Sequence, residues 1–379
     1  MSANKFGFYE VNNKQTFSKL ESIQWANGAF PEWNFNREIF NAVDWYTNPT
    51  IPLWDLYKAR AKQIRESYDY CVLFYSGGSD SHNLLSAWID ADCKIDEIAS
   101  FWNIEATKDP QSFMCSEIQN VVFPHVEQLR KQGHEFKFRL IDICQLTHDF
   151  LDKHKTDYSY YCTHAVSPNN IIKGMFRERI KDWMELIAQG KKLCFIWGSE
   201  KPQVFVDNKG WYFQFGDFLN NTISPYTQER YDQGWYDELF YWTPDMPSIV
   251  IQQAHDIKNF LSFCKDTSFF QKEKSAYGYS KLLDMYVSHD GVKRIIYPKW
   301  NPLTFSNGKG NVVYSIRDQW ILPDIIDAIE TTINYFPDYW KQENPRKDFG
   351  SLGLAPEFYK RKNPTSLKIK AHIQRHYFA

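Results

Sequence analysis

A strand, a glycine turn and a helix follow one another without a gap between residues 68 and 90. Tyr68–Tyr75 is a short apolar run rich in aromatic and β-branched residues, which predicts a buried strand. From Ser81 onward, apolar residues recur at helical spacing. The turn between them, residues 76–81, reads Ser-Gly-Gly-Ser-Asp-Ser. Glycines let the backbone approach a ligand closely, and the free N–H groups of the following helix favour an anion. The segment therefore predicts a phosphate site.

The sequence SGGSDS resembles the SGGxDS loop of the N-type ATP pyrophosphatases (PP-loop enzymes), which include asparagine synthetase, GMP synthetase and tRNA-modifying ligases. It is not a Walker A loop, which needs a longer gap between glycines and a Gly-Lys-Ser/Thr end. The resemblance implies that Asp80 binds Mg²⁺ and that five residues bind the pyrophosphate of ATP: Ser76, Gly77, Gly78, Ser79 and Ser81. The alternative is a serine–glycine turn without a ligand, with Asp80 as the N-cap of the helix.

Predicted strands and helices alternate after this turn. Further strands are expected at Lys94–Asn103, Glu135–Ile143 and Lys192–Trp197, with helices at 113–133, divided by Pro124, and at 169–189. This alternation predicts an α/β fold with an open, mainly parallel sheet and flanking helices. The resemblance implies the adenine nucleotide alpha hydrolase-like version of that fold. Ligands of such sheets bind at the carboxyl ends of the strands.

Two further strand ends carry candidate ligand-binding residues. By position in the family, Phe101, Trp102 and Asn103 are candidates to hold the adenine, although Phe101 and Trp102 equally suit core positions at a strand end. After the fourth predicted strand, Gly198–Pro202 (GSEKP) resembles the glycine and acidic loop of asparagine-synthetase-like enzymes in place and character. The resemblance implies that Glu200 is a second Mg²⁺ ligand and that Lys201 meets phosphate charge. A surface turn with a solvated charge pair is the alternative.

The chain is predicted to have four parts. Residues 1–67 form an aromatic-rich N-terminal extension packing on the core, and residues 68–206 form the nucleotide-binding domain. Residues 207–340 are predicted as a mostly helical substrate or cap region. In this region Lys309, in a glycine-rich turn, is a second candidate cation or a hairpin tip. Residues 341–379 form a basic tail, with nine Lys/Arg against three Asp/Glu.

Composition excludes several classes of protein. The net charge of −2 gives no general argument for nucleic-acid or membrane binding. None of the seven cysteines forms a CxxC pair, so no zinc ribbon or redox pair is predicted. The sequence has no signal-peptide pattern at its first residues and no apolar run long enough for a membrane span. The expectation is a cytoplasmic protein that does not bind a membrane.

The resemblance implies an ATP-dependent, AMP-forming ligase that uses ATP and Mg²⁺. A carboxylate or amide/carbonyl oxygen of a small-molecule or RNA substrate would attack the α-phosphorus, and ammonia or an amine would then displace AMP. Ser2 stands where glutamine-dependent asparagine synthetases have a nucleophilic cysteine, so a separate ammonia source is implied. Asp80, Lys201 and Lys309 are the candidate catalytic residues. A tRNA- or nucleobase-modifying enzyme and a catalytically inactive nucleotide-binding or structural protein remain alternatives.

Overall fold

A computed structural model describes residues 6–17, 19–27, 29, 31–102, 118–142, 177–199, 202–216, 233–264, 290–300 and 374–378. Its strands are β1 (Phe8–Val11), β2 (Lys14–Thr16), β3 (Glu32–Asn34), β4 (Tyr70–Phe74), β5 (Glu97–Trp102), β6 (Lys137–Asp142), β7 (Leu193–Trp197), β8 (Val204–Asp207), β9 (Gly210–Phe215), β10 (Trp235–Leu239) and β11 (Gln374–Phe378). Its α-helices are α1 (Lys19–Ala26), α2 (Arg37–Ala42), α3 (Leu53–Ser67), α4 (Ser79–Asp90), α5 (Phe123–Lys131), α6 (Lys181–Ala188), α7 (Pro247–Cys264) and α8 (Asp290–Ile296).

The central sheet has five strands in the order β6-β5-β4-β7-β10, and every neighbouring pair is parallel. The predicted α/β fold with a parallel sheet and flanking helices is therefore confirmed. The chain runs outward from β4 through β5 to β6, and then returns to the other side of β4 to form β7 and β10. The direction of winding thus reverses between β4 and β7. Such a reversal opens a crevice at the carboxyl ends of the two strands.

Helices cover both faces of this sheet. Adjacent residues of a strand point to opposite faces, and two neighbours on β10 make different ion pairs. Glu238 accepts a hydrogen bond from Arg60 of α3 at 2.5 Å. Asp237 accepts one from Arg177, in the 3₁₀ turn just before α6, also at 2.5 Å. The α3 helix and the segment leading into α6 therefore lie on opposite faces.

The fifth strand of the sheet, β10, follows residue 206, the predicted end of the nucleotide-binding domain. It pairs with β7 along its whole length. Its sequence, WYDEL, contains two acidic residues and does not look like a buried strand. Both carboxylates are nevertheless buried, because Arg60 and Arg177 are buried with them.

Two small antiparallel sheets flank this core, in the orders β2-β1-β3 and β11-β9-β8. The predicted basic tail contributes β11, which pairs with β9 from Gln374↔Phe215 to Phe378↔Trp211. The N-terminal extension packs on this third sheet, since Trp45 stacks on His376 with 4.8 Å between ring centroids. The last strand of the described chain is therefore a docked part of the fold.

The four strands predicted between residues 68 and 197 are present within a few residues of their expected ends. The predicted helix at 169–189 is described from residue 177, and there it is interrupted, because Ile180 has an extended backbone (φ −99°, ψ 101°). The predicted division at Pro124 is also present, as a π-helical turn (Ile118–Val122) that runs into α5. In the described part of the chain, no helix has the length and apolar character needed to cross a membrane.

Candidate functional site

The turns that follow β4 and β7 meet at the carboxyl edge of the central sheet. A Cβ atom added to Gly198 would lie 3.2 Å from the backbone carbon and oxygen of Asp80 and from the Cα of Ser81. Gly198 therefore packs directly against the first turn of α4. The sequence predicts that the two turns face one crevice, because both follow the carboxyl ends of parallel strands. Of the second turn, the structure places Gly198 against the loop.

The backbone of the loop starts α4 without a side-chain cap. Gly77 has a φ of +80°, a left-handed conformation that residues with a Cβ adopt at a cost. Gly78 is the N-cap residue (φ −81°, ψ 169°), and no side chain caps the helix. Asp80 is the second residue of α4, so the alternative of Asp80 as the N-cap is wrong. Its carboxylate still lies in the first turn, where the helix dipole stabilises negative charge.

The serine hydroxyls brace the loop from within. The hydroxyl of Ser81 accepts from the Ser76 N–H at 3.1 Å and donates to the Gly78 carbonyl at 3.2 Å. The Ser76 hydroxyl lies 3.1 Å from the Ser81 hydroxyl and accepts from the Gly78 N–H at 3.3 Å. Ser81 was expected to contact phosphate; its hydroxyl is instead committed to the loop, and its backbone N–H is the group left for a ligand.

Four backbone N–H groups point out of this braced turn without a hydrogen-bond partner in the described structure. They belong to Gly77, Ser79, Asp80 and Ser81. The first N–H groups of any helix lack an intrahelical acceptor and carry the positive end of its dipole. Here neither a side-chain cap nor the loop itself satisfies them. The arrangement is a nest of donors for an anion with several oxygens.

A group of three buried tyrosines, Tyr57, Tyr241 and Tyr297, lies behind the loop; we call it the tyrosine cluster. The Tyr241 hydroxyl donates to the backbone carbonyl of Asp80 at 2.7 Å and accepts from Asn83 at 3.2 Å. Burial raises the pKa of all three phenols well above the ordinary value, and the Asp80 carboxylate raises each pKa further. The three hydroxyls are therefore neutral near pH 7.

The tyrosine cluster connects distant parts of the chain. The Tyr57 hydroxyl, on α3, donates to the carbonyl of Ile296 at 2.7 Å and accepts from Gln253 of α7 at 2.9 Å. The Tyr57 and Tyr241 rings are 5.3 Å apart, and the Tyr241 and Tyr297 rings 5.5 Å apart. No local pattern in the sequence marks these three tyrosines, because they come from three separate segments.

A second polar group lies beside the loop on the α4 and α5 side. The Tyr75 hydroxyl is 3.1 Å from Nδ1 of His82 and 3.0 Å from Nδ1 of His125. Burial lowers the pKa of His82 to about 3 and that of His125 to about 4. Both imidazoles are therefore neutral near pH 7. They support the loop as uncharged hydrogen-bonding groups.

Trp102, a candidate for adenine contact, is half-buried at the end of β5, and its ring stacks on Phe123 with 5.7 Å between centroids. Its indole Nε1 is buried without a hydrogen-bond partner. Its neighbour Phe101 stacks instead on Phe74, 5.0 Å away, and lies 6.2 Å from the ring of Trp197. The packing of Trp102 is thus that of an aromatic residue at the border of the core.

Asn103, Glu200, Lys201 and Lys309 lie outside the described residues. Within the part of the chain that is described, no group of three or more His, Cys, Asp and Glu side chains could hold a metal ion. A magnesium ion that is bound together with a nucleotide needs fewer than three protein ligands, because phosphates and water supply most of its ligands and one or two carboxylates supply the rest. Asp80 is half-exposed, and the Ser79 hydroxyl donates to its Oδ1 at 2.9 Å.

The described residues fit a nucleotide phosphate group with its magnesium ion. The fit rests on the four free N–H groups, on the half-exposed Asp80 carboxylate beside them and on the close approach of Gly198. The residue types and spacing of the SGGSDS segment were the signal for the first two features. No family model matches the chain, and no curated protein matches it either.

Proposed function

We propose that this protein binds ATP with Mg²⁺ at residues 76–81 and cleaves ATP between the α- and β-phosphates, as an AMP-forming ligase of the PP-loop type. The observation that carries the proposal is the set of free N–H groups at the uncapped start of α4. The site lies where the winding of the parallel sheet reverses, which is the usual place for ligands in open α/β folds. The proposal includes the adenine nucleotide alpha hydrolase-like version of the α/β fold, to which the five-stranded parallel sheet lends support.

In this proposal the loop holds the pyrophosphate part of ATP. The N–H groups of Gly77, Ser79, Asp80 and Ser81 donate to phosphate oxygens, and the dipole of α4 favours the charge that develops there. The Asp80 carboxylate supplies an oxygen ligand for the metal. Mg²⁺ bound there would neutralise charge on the phosphates. Because the Ser76 and Ser81 hydroxyls fix the loop, the donors are already oriented before the ligand binds.

The proposed reaction releases pyrophosphate and joins AMP to the substrate. A carboxylate or carbonyl oxygen of the acceptor attacks the α-phosphorus, and the bond to the bridging oxygen of the β-phosphate breaks. Ammonia or an amine then displaces AMP. Among the candidate residues outside the described part, Glu200 would add a metal ligand, and Lys201 or Lys309 would add a cation opposite the pyrophosphate.

The test is the fate of ATP labelled at the α-phosphate, with Mg²⁺, ammonia and a set of carboxylic acids. The expected products are labelled AMP and unlabelled pyrophosphate, and Asp80→Ala is expected to abolish them. Asp90→Ala is the matched control, because Asp90 is an exposed acid at the other end of α4 that pairs with Lys299. Labelled ADP would contradict the proposal. ATP binding without cleavage would instead favour the inactive nucleotide-binding protein.

A further inference from the structure

The hydroxyl of Tyr297 is fully buried and has no hydrogen-bond partner in the described structure. Buried polar atoms are nearly always hydrogen-bonded, so an unpartnered hydroxyl in a packed interior needs an explanation. The other two members of the tyrosine cluster are satisfied. Tyr57 donates to the carbonyl of Ile296, and Tyr241 donates to the carbonyl of Asp80. The Tyr297 hydroxyl thus makes no hydrogen bond of ordinary geometry, but it is close enough to the Asp80 carboxylate for a weak one.

Tyr297 lies on the inner side of the first turn of α4. It follows directly after α8, and its ring is 5.5 Å from the ring of Tyr241, whose hydroxyl contacts Asp80. After burial, the negative charge of Asp80 is the largest influence on Tyr297, and it raises the pKa of the phenol further. The hydroxyl is therefore protonated near pH 7 and lies within electrostatic reach of the Asp80 carboxylate.

The Asp80 carboxylate already interacts with hydroxyl groups on both sides. The Ser79 hydroxyl donates to Oδ1 at 2.9 Å, and the Tyr297 hydroxyl is close enough to the carboxylate for a hydrogen-bonding interaction that raises the pKa of the phenol. A carboxylate that binds a metal through one oxygen is commonly fixed by a hydrogen bond to the rest of the group. A small rotation of the Asp80 side chain would let one oxygen face the phosphates while the other faces the cluster.

We propose that Tyr297 is a positioning residue for Asp80, and that its hydroxyl donates to the carboxylate when Asp80 binds the magnesium ion of ATP. This inference rests on the proposed function. It assigns different tasks to two tyrosines that touch the same turn: Tyr241 fixes the backbone of Asp80, and Tyr297 fixes its side chain. Tyr57 is equally buried in the same cluster but does not contact Asp80 by a hydrogen bond in the described structure.

The test compares Tyr297→Phe with Tyr57→Phe by titration calorimetry with ATP, once with Mg²⁺ and once with EDTA. The measured quantity is the dissociation constant for ATP in EDTA divided by the dissociation constant with Mg²⁺. This ratio reports how much the metal strengthens ATP binding. Loss of an outer hydrogen bond to a metal ligand lowers metal affinity roughly 10- to 100-fold. We expect Tyr297→Phe to lower the ratio by about tenfold or more and to leave ATP binding in EDTA unchanged. Tyr57→Phe should leave the ratio unchanged.

The outcomes separate the two proposals. If the wild-type protein binds no ATP with or without Mg²⁺, the proposed function fails and this inference fails with it. If wild-type binding strengthens with Mg²⁺ and Tyr297→Phe shows the same ratio, only the positioning role is overturned. A purely structural role for Tyr297 would weaken binding equally in Mg²⁺ and EDTA, and so would also leave the ratio unchanged.

A second measurement keeps the hydroxyl in place, in case Tyr297→Phe does not fold. With 3-fluorotyrosine at position 297, the ¹⁹F resonance should shift when Mg²⁺ is added to the ATP complex and return when EDTA removes it. A resonance that responds to ATP but is identical in Mg²⁺ and EDTA would overturn the inference. Fluorotyrosine at position 57 serves as the control and should not respond to the metal.

Discussion

The loop at residues 76–81 and the tyrosine cluster behind it use polar groups in opposite ways. The loop satisfies its own hydroxyls internally and leaves four N–H groups free at the carboxyl edge of the sheet. The cluster is fully buried, and two of its three hydroxyls both donate and accept within the fold. One region is arranged to receive a ligand, whereas the other holds the first region in place.

The contrast between free donors in the loop and buried hydrogen bonds in the cluster indicates how the site is stabilised. The Ser76 and Ser81 hydroxyls brace the loop from within. Further contacts come from outside the loop: Tyr241 holds the backbone carbonyl of Asp80, and Gly198 packs against the same turn. Changes in the loop should therefore reduce ligand affinity most, and changes at Tyr57 and Tyr241, which hold the backbone and the neighbouring helices, should reduce mainly stability.

The largest expected effect is that of Gly77→Ala. Alanine at a φ of +80° destabilises this backbone conformation by about 1–2 kcal/mol. The loop is therefore expected to change its conformation, which moves the N–H donors away from the phosphate oxygens. We expect affinity for ATP with Mg²⁺ to fall roughly 10- to 100-fold, the value of one or two hydrogen bonds to a charged group. Gly133→Ala is the matched control, since Gly133 has a φ of +91° with open space around it, far from the loop. If titration calorimetry shows the same loss of ATP affinity for both variants, the claim that the loop binds the phosphates of ATP is contradicted.

A smaller effect on affinity is expected for Tyr241→Phe. The variant leaves the Asp80 carbonyl and the Asn83 amide without their partner, which costs about 1–3 kcal/mol of unfolding free energy. Affinity for ATP should fall by only about threefold, because the loop keeps its own internal hydrogen bonds. Urea unfolding and calorimetry measure the two quantities. An affinity loss as large as that of Gly77→Ala would make Tyr241 part of the binding surface.

The smallest effect on affinity is expected from lowering the pH from 8 to 6.5. His82 and His125 have lowered pKa values of about 3 and 4 in the folded state, against 6.5 for a free imidazole. The unfolded chain therefore binds more protons below pH 6.5, and folding stability, complete above that pH, decreases as the pH falls toward 4. For the buried His82 the loss is on the order of 1 kcal/mol per pH unit.

Urea unfolding at pH 8, 6.5 and 5 measures this loss, and His125→Gln should reduce the pH dependence. Stability that stays constant or rises between pH 6.5 and 5 would show that the histidines are not buried in the neutral form beside the loop. The two histidines should contribute no change in ATP affinity between pH 8 and pH 6.5, since neither changes charge in that range in the folded state.

The parts of the fold that follow from local pattern could be predicted from the sequence. The β4 strand, the glycine turn and α4 are contiguous, and each has the periodicity or residue type of its element. The β10 strand could not be predicted, because Asp237 and Glu238 look like surface residues until their partners are known. Those partners, Arg177 and Arg60, are distant in sequence and become neighbours only in the folded protein.

The same distinction applies to the candidate site. A phosphate ligand could be proposed from residues 76–81 because helix start, glycines and acidic residue occur in one short segment. The hydrogen bonds of the serine hydroxyls within the loop could not be predicted, since they depend on how the loop closes on itself. The tyrosine cluster could not be predicted either, as Tyr241 and Tyr297 are more than 150 residues from the loop in the sequence.

The central claim, that the free N–H groups of the loop bind pyrophosphate, is tested most directly by NMR of the protein labelled with ¹⁵N-glycine. Adding pyrophosphate with Mg²⁺ should shift the amide resonance of Gly77, whose N–H has no partner in the described structure. The resonances of Gly133 and Gly190 should stay in place, because their N–H groups donate to the carbonyls of Arg130 and Ile187. A Gly77 resonance that does not move at saturating pyrophosphate or ATP would contradict the account.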